Sequence, residues 1–280
     1  MKTAENMTTA AITPDNYAFL QQYIYRESGI VLEPGKHSLL DVRLLPIVKT
    51  AQLQTINDLC ALLKATGPSH VKQAVVEAMT THETLFFRDH NAFEALRTVI
   101  LPKLKVLRAS TQRLTIWSAA SSSGQEAYSL GMMLMELGMA SWKIDILGTD
   151  LSHRILERAR TGRYAQIEVN RGLPAAYLVK YFKRHGLEWE VSEPVRRMVR
   201  FRQADLRQLP RLLGPFDLVL CRNVLIYFDM ETKTKILQSI RGTMAGGGIL
   251  LLGGSETLLN IDAAFERKLA GPAVYYEKNS

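Results

Sequence analysis

Only two of the 280 residues are cysteine, Cys60 and Cys221, and they lie far apart in the chain. That excludes a disulfide framework and any cysteine cluster with metal-ligand spacing, so no metal site is expected. No apolar run approaches the roughly 20 residues a helix needs to span a bilayer, so direct membrane insertion is not expected either. Residues 1–11 carry one Lys but no apolar core, and no secretory leader is read there. A reducing, cytoplasmic setting is the expectation. Internal repeats and low-complexity tracts are missing too. So are the G-x-G-x-x-G fingerprint and a phosphate-cradling loop ending in Gly-Lys-Ser/Thr, which argues against dinucleotides and nucleoside triphosphates as ligands.

What remains is an ordinary globular composition, 47% hydrophobic and 22% charged, long enough for one or two domains. The net charge of +8 is unevenly placed. Residues 154–211 hold 14 Lys and Arg against 6 Asp and Glu, and the rest of the chain is neutral. Such a segment suits an acidic partner, nucleic acid or protein, or is simply a solvated basic face.

The first part of the chain reads as helices. Tyr17, Leu20, Tyr23 and Ile24 share one helical face, and Gly29 supplies a stop. Leu39, Leu40, Val42, Leu44, Ile47 and Val48 mark a second helix with Lys36, Arg43 and Lys49 as its cations. Ile56, Leu59, Leu62 and Leu63 mark a third, ended by Gly67-Pro68, and residues 71–79 a fourth. From Leu114 the pattern changes to strands at about 114–118, 144–149, 199–203, 218–220 and 248–252, alternating with helices. Ser152 is an N-cap type residue opening one of these helices. Residues 164–198 break the rhythm and leave room for a small hairpin, and residues 265–277, split by Gly271-Pro272, read as a closing hairpin. The fold class is therefore α/β: a small N-terminal helical bundle (residues 1–78), a linker and leading helix (79–113), and a doubly wound Rossmann-like domain (114–280) with a small inserted subdomain at about 164–198.

In such a sheet ligands sit at the carboxyl ends of the strands. The stretch from Phe216 to Asp229 places Arg222, Asn223 and Tyr227 just past one of these ends. The loop after the first strand, Ala119 to Glu126, is small and serine-rich, carries no cation, and ends in an acid. It suits the ammonium of an amino acid better than a pyrophosphate. The second strand ends in Thr149-Asp150, where a carboxylate can take both hydroxyls of a ribose. Ribose plus ammonium without phosphate points to S-adenosylmethionine. Between the helices and the first strand, Thr80 to Asp89 could fold over a cofactor, with Arg88 as a guanidinium able to orient a carboxylate.

At these residues the chain resembles the CheR family, the chemotaxis receptor glutamate O-methyltransferases. The family's linker motif T-x-N-E-T-x-F-F-R-D stands here as Thr80 to Asp89. Its cofactor loop W-S-A-x-x-S-x-G-E-E-x-Y-S is matched by Trp117 to Ser129, its signature F-C-R-N-V-x-I-Y-F-D by Leu220 to Asp229, and its G-x-S-E element by Gly253 to Glu256. The resemblance covers nearly the whole chain in the family's order. It implies S-adenosylmethionine binding, with S-adenosylhomocysteine as product, by His82, Thr84, Arg88, Glu126, Asp150, Asp205, Leu206, Arg222 and Asn223. Three residues depart from the family's pattern: His82 replaces Asn, Gln125 the first of two Glu, and Asp205 an Asn often seen at the third strand's end. Gly254 stands where many members carry His.

The reaction implied is methyl transfer to glutamate side chains of chemotaxis receptors, with Arg88 positioning the substrate carboxylate and Tyr227 shaping the transfer pocket. The resemblance further implies that Lys36, Arg43 and Lys49 dock the helical cytoplasmic region of the receptor, and it makes nucleic acid an unexpected partner. Some members grip a tethering peptide from the receptor's C-terminus with an inserted β-subdomain. The corresponding region here, residues 183–199, is shorter and lacks a Gly-x-Gly turn, so independence from such a tether is expected. The alternative from a different class is a non-catalytic S-adenosylmethionine-binding regulator of a chemosensory pathway, for which the changes at His82 and Gln125 leave room.

Overall fold

The protein is seen here as a computed structural model that describes residues 11–65, 67–210, 213–258, 262 and 264–279. The expected helical character of residues 1–10 lies outside the described residues, as does Arg211 of the basic segment. The chain divides into two units: residues up to Thr81 with Tyr227–Asp229 form one, and His82–Ile226 with the remainder from Met230 form the other.

The first unit is built from α1 (Pro14–Ser28), α2 (His37–Thr50), α3 (Ile56–Lys64) and α4 (Ser69–Met79). Its ends follow from capping chemistry. The Thr13 hydroxyl accepts from the Asn16 N–H with Pro14 at the first helical position, and Gly29 closes α1 at φ 74°. Thr55 and Asp58 form a reciprocal capping box on α3. Most of the apolar positions read from the sequence meet in one core, with Leu20, Ile24, Leu40, Leu44, Val48, Leu59 and Val75 fully buried, whereas Val42 points to solvent. Helix α4 has no basic residue in its last turn, and Arg43 of α2 supplies the missing donors. Its Nη1 donates to the carbonyls of Ala78, Met79 and Thr80 at 3.2, 2.7 and 3.0 Å, and its Nη2 donates to the Thr81 hydroxyl at 3.0 Å.

The second unit begins with α5 (His90–Ala95), a π turn (Leu96–Ile100) and α6 (Leu101–Leu107). The π turn precedes Pro102, which has no N–H to donate to the preceding turn. Then come β1 (Arg113–Ala119), α7 (Gln125–Glu136), β2 (Lys143–Asp150), α8 (His153–Thr161), β3 (Arg163–Ala165), α9 (Gln166–Val169), α10 (Ala175–Tyr181), β4 (Phe182–His185), β5 (Glu188–Val191), α11 (Glu193–Arg196), β6 (Val199–Gln203) and β7 (Phe216–Cys221). A 3₁₀ turn (Leu225–Tyr227) leads to α12 (Met230–Gly242), β8 (Met244–Leu252), β9 (Phe265–Ala270) and β10 (Ala273–Lys278). The seven-stranded sheet has the order β6-β2-β1-β7-β8-β10-β9. Strands β6, β2, β1, β7 and β8 are parallel, and β10 is antiparallel to both β8 and β9.

Strand β7 is buried at every position, as its uninterrupted apolar run requires of a central parallel strand. Successive strands run outward from β1 through β2 to β6, and the chain then returns to place β7 on the other side of β1. That reversal opens a crevice at the carboxyl ends of β1 and β7. The insert between α8 and β6 forms its own sheet, in the order β3-β5-β4, with Gly186 (φ 60°) turning the expected hairpin. Strand β3 adds an edge that periodicity does not announce, since three residues are too few to show alternation.

The linker belongs to this unit. Its adjacent phenylalanines anchor it in different clusters. Phe86 is fully buried edge-on to Tyr164 and Phe182 of the insert, at 4.9 and 5.5 Å. Phe87 packs edge-on to Phe93 and Tyr177, and its N–H donates to the Ser129 hydroxyl at 3.1 Å. Gly172, at φ 79°, passes so close that an added Cβ would meet the Phe86 carbonyl oxygen at 2.0 Å, so only glycine fits there.

Candidate functional site

The strand register brings four sequence-predicted residues to one edge of the sheet. Ala119 at the end of β1 pairs with Thr149 of β2 and Cys221 of β7, and Asp150 pairs with Gln203 of β6. Glu126, Asp150, Asp205 and Arg222 follow these positions. The loop after β1 turns through left-handed backbone at Ala120 (φ 58°), Ser122 (φ 50°) and Gly124 (φ 91°). A Cβ on Gly124 would come within 2.8 Å of the Phe201 ring.

Glu126 sits in the first turn of α7, half-buried, and its two oxygens have separate partners. One accepts from the Ser118 hydroxyl at 2.7 Å and the other from Arg222 Nη1 at 2.8 Å. The loop itself carries no cation, but the fold delivers one from β7. Arg222 is buried, its Nη2 donates to the Arg88 carbonyl at 2.7 Å, and Asp89 lies 3.5 Å away. Two carboxylates around one guanidinium leave a net charge of −1, which still favours an ammonium. Phe93 lies under the guanidinium, 5.6 Å from ring centroid to carbon.

Asp150 is held differently. Its two oxygens accept the backbone N–H groups of Ser122 and Ser152, each at 3.0 Å. The Leu151 N–H also bonds this carboxylate, and with about four lone-pair sites on a carboxylate it retains acceptor capacity for a hydroxyl. Burial pushes the carboxyl above the usual aspartate range, and these N–H groups and the charge of nearby His82 oppose that shift. The His82 carbonyl accepts from the Ser122 hydroxyl at 2.9 Å, which ties the linker to the loop after β1. The Ala204 N–H donates to the Asp150 carbonyl at 3.0 Å. Asp205 follows, locked by its own neighbour, with Arg207 Nη2 and Nε at 2.7 and 3.1 Å from its carboxylate. Leu206 is buried beside it.

Of the remaining candidates, Thr84 is half-buried in the linker. Arg88 Nη1 donates to the Glu83 carbonyl at 2.6 Å. Tyr227 falls in the segment that groups with the helical unit, where its carbonyl accepts the Val31 N–H at 2.9 Å. Lys36 and Lys49 are exposed on α2, whereas Arg43, read as a third docking cation there, has its guanidinium engaged by the end of α4. Several cations of the basic segment form ion pairs, among them Arg158–Glu168, Arg160–Glu157, Arg196–Glu190, Arg197–Glu193 and Arg200–Asp145, but only the last of these draws on an acid outside the segment, so its positive excess persists.

One residue was given no role from sequence. Glu256 accepts four backbone N–H groups, from Leu225, Asn223, Gly253 and Val224 at 2.7, 2.8, 2.8 and 3.0 Å. It thereby holds Asn223 in left-handed backbone (φ 58°), a conformation that costs a non-glycine residue about 1 kcal/mol or more unless its surroundings impose it. A Cβ on Gly253 would lie 2.6 Å from the Glu256 carboxylate. The signal was present, an acid two residues after two glycines at a strand end, but its partners lie some 30 residues away in sequence.

The family described as CheR methyltransferase, SAM binding domain, matches residues 82–271, and the all-alpha domain of the same methyltransferases matches residues 15–80. The chain belongs to the CheR methyltransferase family. Relatives include chemotaxis protein methyltransferase 1 of Pseudomonas aeruginosa, 38% identical over 93% of this chain and 97% of that protein. The chemotaxis protein methyltransferase of Vibrio parahaemolyticus is 36% identical over 97% of this chain and 99% of its own. That of Borreliella burgdorferi is 33% identical over 88% and 89%.

As a CheR-family methyltransferase, the chain uses S-adenosylmethionine, and the crevice fits it. Asp150 offers acceptors for a ribose, the Glu126–Arg222–Asp89 group offers net negative charge for an ammonium, and Arg88 offers a cation for a carboxylate. Arg222 Nε and Ser121 Oγ are buried without a hydrogen-bond partner, polar atoms of the kind a bound ligand satisfies. Among the described residues no helix is long and apolar enough to cross a membrane.

Proposed function

We propose that the protein methylates glutamate side-chain carboxylates in the helical cytoplasmic region of chemotaxis receptors, forming glutamyl methyl esters for chemosensory adaptation. The observation that carries this reading is the charge arrangement at the crevice: a Glu126–Arg222–Asp89 group of net negative charge on one side and an Asp150 carboxylate with remaining acceptor capacity on the other. When bound, S-adenosylmethionine supplies a methyl group on a positively charged sulfur. The residues of the chain then have to hold and align. Asp150, Glu126 and Arg222 fix the donor, and Arg88 positions the incoming carboxylate.

A glutamate has an unperturbed pKa of about 4.3 and is already ionised at neutral pH, so the nucleophile needs no general base. Rate enhancement rests on proximity and in-line alignment. Arg88 serves this only if it orients the carboxylate without favouring the ground state over the transition state. Lys36 and Lys49 on α2 provide docking charge for an acidic receptor helix, and Arg43 shapes the same face by fixing the end of α4. The short β4–β5 hairpin supports methylation without a C-terminal tether.

The test is transfer of labelled methyl to membranes carrying the organism's chemoreceptors. Label in the receptor bands that alkali releases is expected. Incorporation that resists alkali, or tight cofactor binding with no incorporation, would overturn the glutamyl-ester reading.

A further inference from the structure

Beside the cofactor constellation lies a second cleft of about 400 Å³. Its floor is the end of β8 and the start of β10. Its walls are the first residues of α5, the segment after β8, and the outer strand β9. Two of the wall residues already have roles in the site. Asp89 is the second carboxylate beside Arg222, and Glu256 is the clamp on Asn223. The cleft therefore shares a boundary with the crevice.

One cation faces this space. Arg267 lines the cleft and stands opposite Tyr276 in the β9–β10 register, so the two side chains share a face of the hairpin. Tyr276 is itself fixed there, its hydroxyl accepting the Leu258 N–H at 3.2 Å. The other charges of the hairpin are taken. Glu266 and Lys268 pair with each other on the opposite face, Glu277 pairs with Lys103, and Lys278 donates to the carbonyls of Arg241 and Met244. Arg267 alone among them makes no ion pair or hydrogen bond with any described residue. Gly254 lines the cleft as well. It has no side chain, and a Cβ there would lie 3.7 Å from an Asp89 carboxylate oxygen.

The geometry points to a substrate subsite: Arg267 receives an acidic side chain of the methyl-accepting protein, next to the carboxylate being methylated. This rests on the receptor-glutamate reading above. On a helical substrate, residues three or four positions apart lie on one face, about 5–6 Å between Cβ atoms. A second acid one turn from the methylated glutamate enters the neighbouring cleft when the first enters the crevice. The guanidinium, planar and always charged, takes such a carboxylate through two parallel N–H donors. The neighbouring carboxylates do not compete, because Asp89 faces Arg222 and Glu256 is saturated by backbone donors. Arg267 is thus a specificity determinant for the sequence around the methylation site and has no contact with the cofactor.

The test uses the full chain and a purified receptor cytoplasmic fragment, with alkali-released label as readout. Arg267→Ala is expected to raise KM for the fragment about threefold to fivefold and Arg267→Glu about tenfold, the size of losing and then reversing an exposed charge pair. kcat should stay within about twofold of wild type, because a rim charge acts on encounter and binding. Calorimetric affinity for S-adenosylhomocysteine should not move. Changing the fragment's acid one turn from the methylated glutamate to Lys should impair wild type and rescue Arg267→Glu. An unchanged KM in Arg267→Glu would mean that Arg267 is only a solubilising charge on an edge strand. A KM effect without rescue by any such fragment would mean that the acid is bound elsewhere, and either result overturns the subsite. If wild type gives no alkali-labile label at all, the receptor-glutamate reading falls first and the subsite with it.

Discussion

Strand β7 carries a buried charge at each end, and the two are treated in opposite ways. At its start, Asp217 accepts from Arg108 Nε at 2.7 Å and from both the N–H and hydroxyl of Thr115 at 2.8 and 2.9 Å. Just past its other end, Arg222 reaches Glu126 and the Arg88 carbonyl but keeps an unpartnered Nε. The first end is closed by its own neighbours and ties α6, β1 and β7 together. The second is left short of partners at the edge where the parallel strands end. Polar groups saturated by the fold serve stability, and polar groups left short serve a ligand.

The largest effect is expected at the open end. Arg222→Met removes the charge that balances Glu126 and a donor that no other residue replaces. Cofactor affinity by calorimetry should fall at least about 100-fold, as for loss of a desolvated charge partner, and methyl transfer should fall with it. The urea midpoint should drop far less than in the closed-end variant. Asp217→Asn breaks that closed set, and removing one partner of a buried ion pair costs about 3 kcal/mol or more. Urea unfolding should show this, with cofactor affinity per folded molecule unchanged. Similar losses of affinity in both variants would erase the distinction.

Glu256 lies between these cases, since it is saturated like Asp217 but acts on the open end. Glu256→Gln keeps one acceptor oxygen and replaces the other with a donor facing N–H groups. A loss of about 1–3 kcal/mol for the unmade bonds is expected. It should appear mostly as lower kcat/KM through mispositioned Asn223, with a smaller change in unfolding free energy. Gly253→Ala, which drives a Cβ into the same carboxylate, should reproduce that pattern. A loss of stability with kcat/KM intact would reduce Glu256 to a loop tie.

The closed end was hidden in the sequence, and the open end was mostly legible. Apolar runs located the central parallel strands, because a core strand has to be apolar wherever it is buried, whereas the edge strand β6 and the closing hairpin showed through alternation and turn residues. Arg222, Asn223, Glu126 and Asp150 could be singled out because they lie at or just past strand ends, where a Rossmann-like arrangement gathers ligand groups. Local reading could not show which side chain answers which. The serine loop looked free of cations until β7 placed Arg222 against Glu126, 96 positions away. Arg43 read as surface charge because nothing in α2 reveals that α4 ends beside it. The pair between Arg200 and Asp145 likewise forms between neighbouring strands, beyond the reach of a running count of charge.

The smallest effect is a displacement along the pH axis, and it contrasts the two carboxylates that face the ligand. Glu126 has a buried guanidinium against it, whereas Asp150 has N–H dipoles and the charge of nearby His82 against its burial, and its carboxyl is still pushed above the usual aspartate range. The sign follows from linkage. Hydroxyl donors stabilise the charged form, so ligand binding lowers this raised value, and binding is tightest where Asp150 is already ionised. Affinity is therefore full above the raised value and is lost as pH falls through it, an acid limb placed higher than an aspartate with an ordinary pKa near 3.9 would give. Calorimetric titration with S-adenosylhomocysteine at successive pH values should show that limb, with proton release on binding within it. In Asp150→Asn the affinity should be weaker throughout and that limb should vanish. A limb that survives in Asp150→Asn would assign the titration to another group and leave the Asp150 carboxylate without a part in holding the ribose.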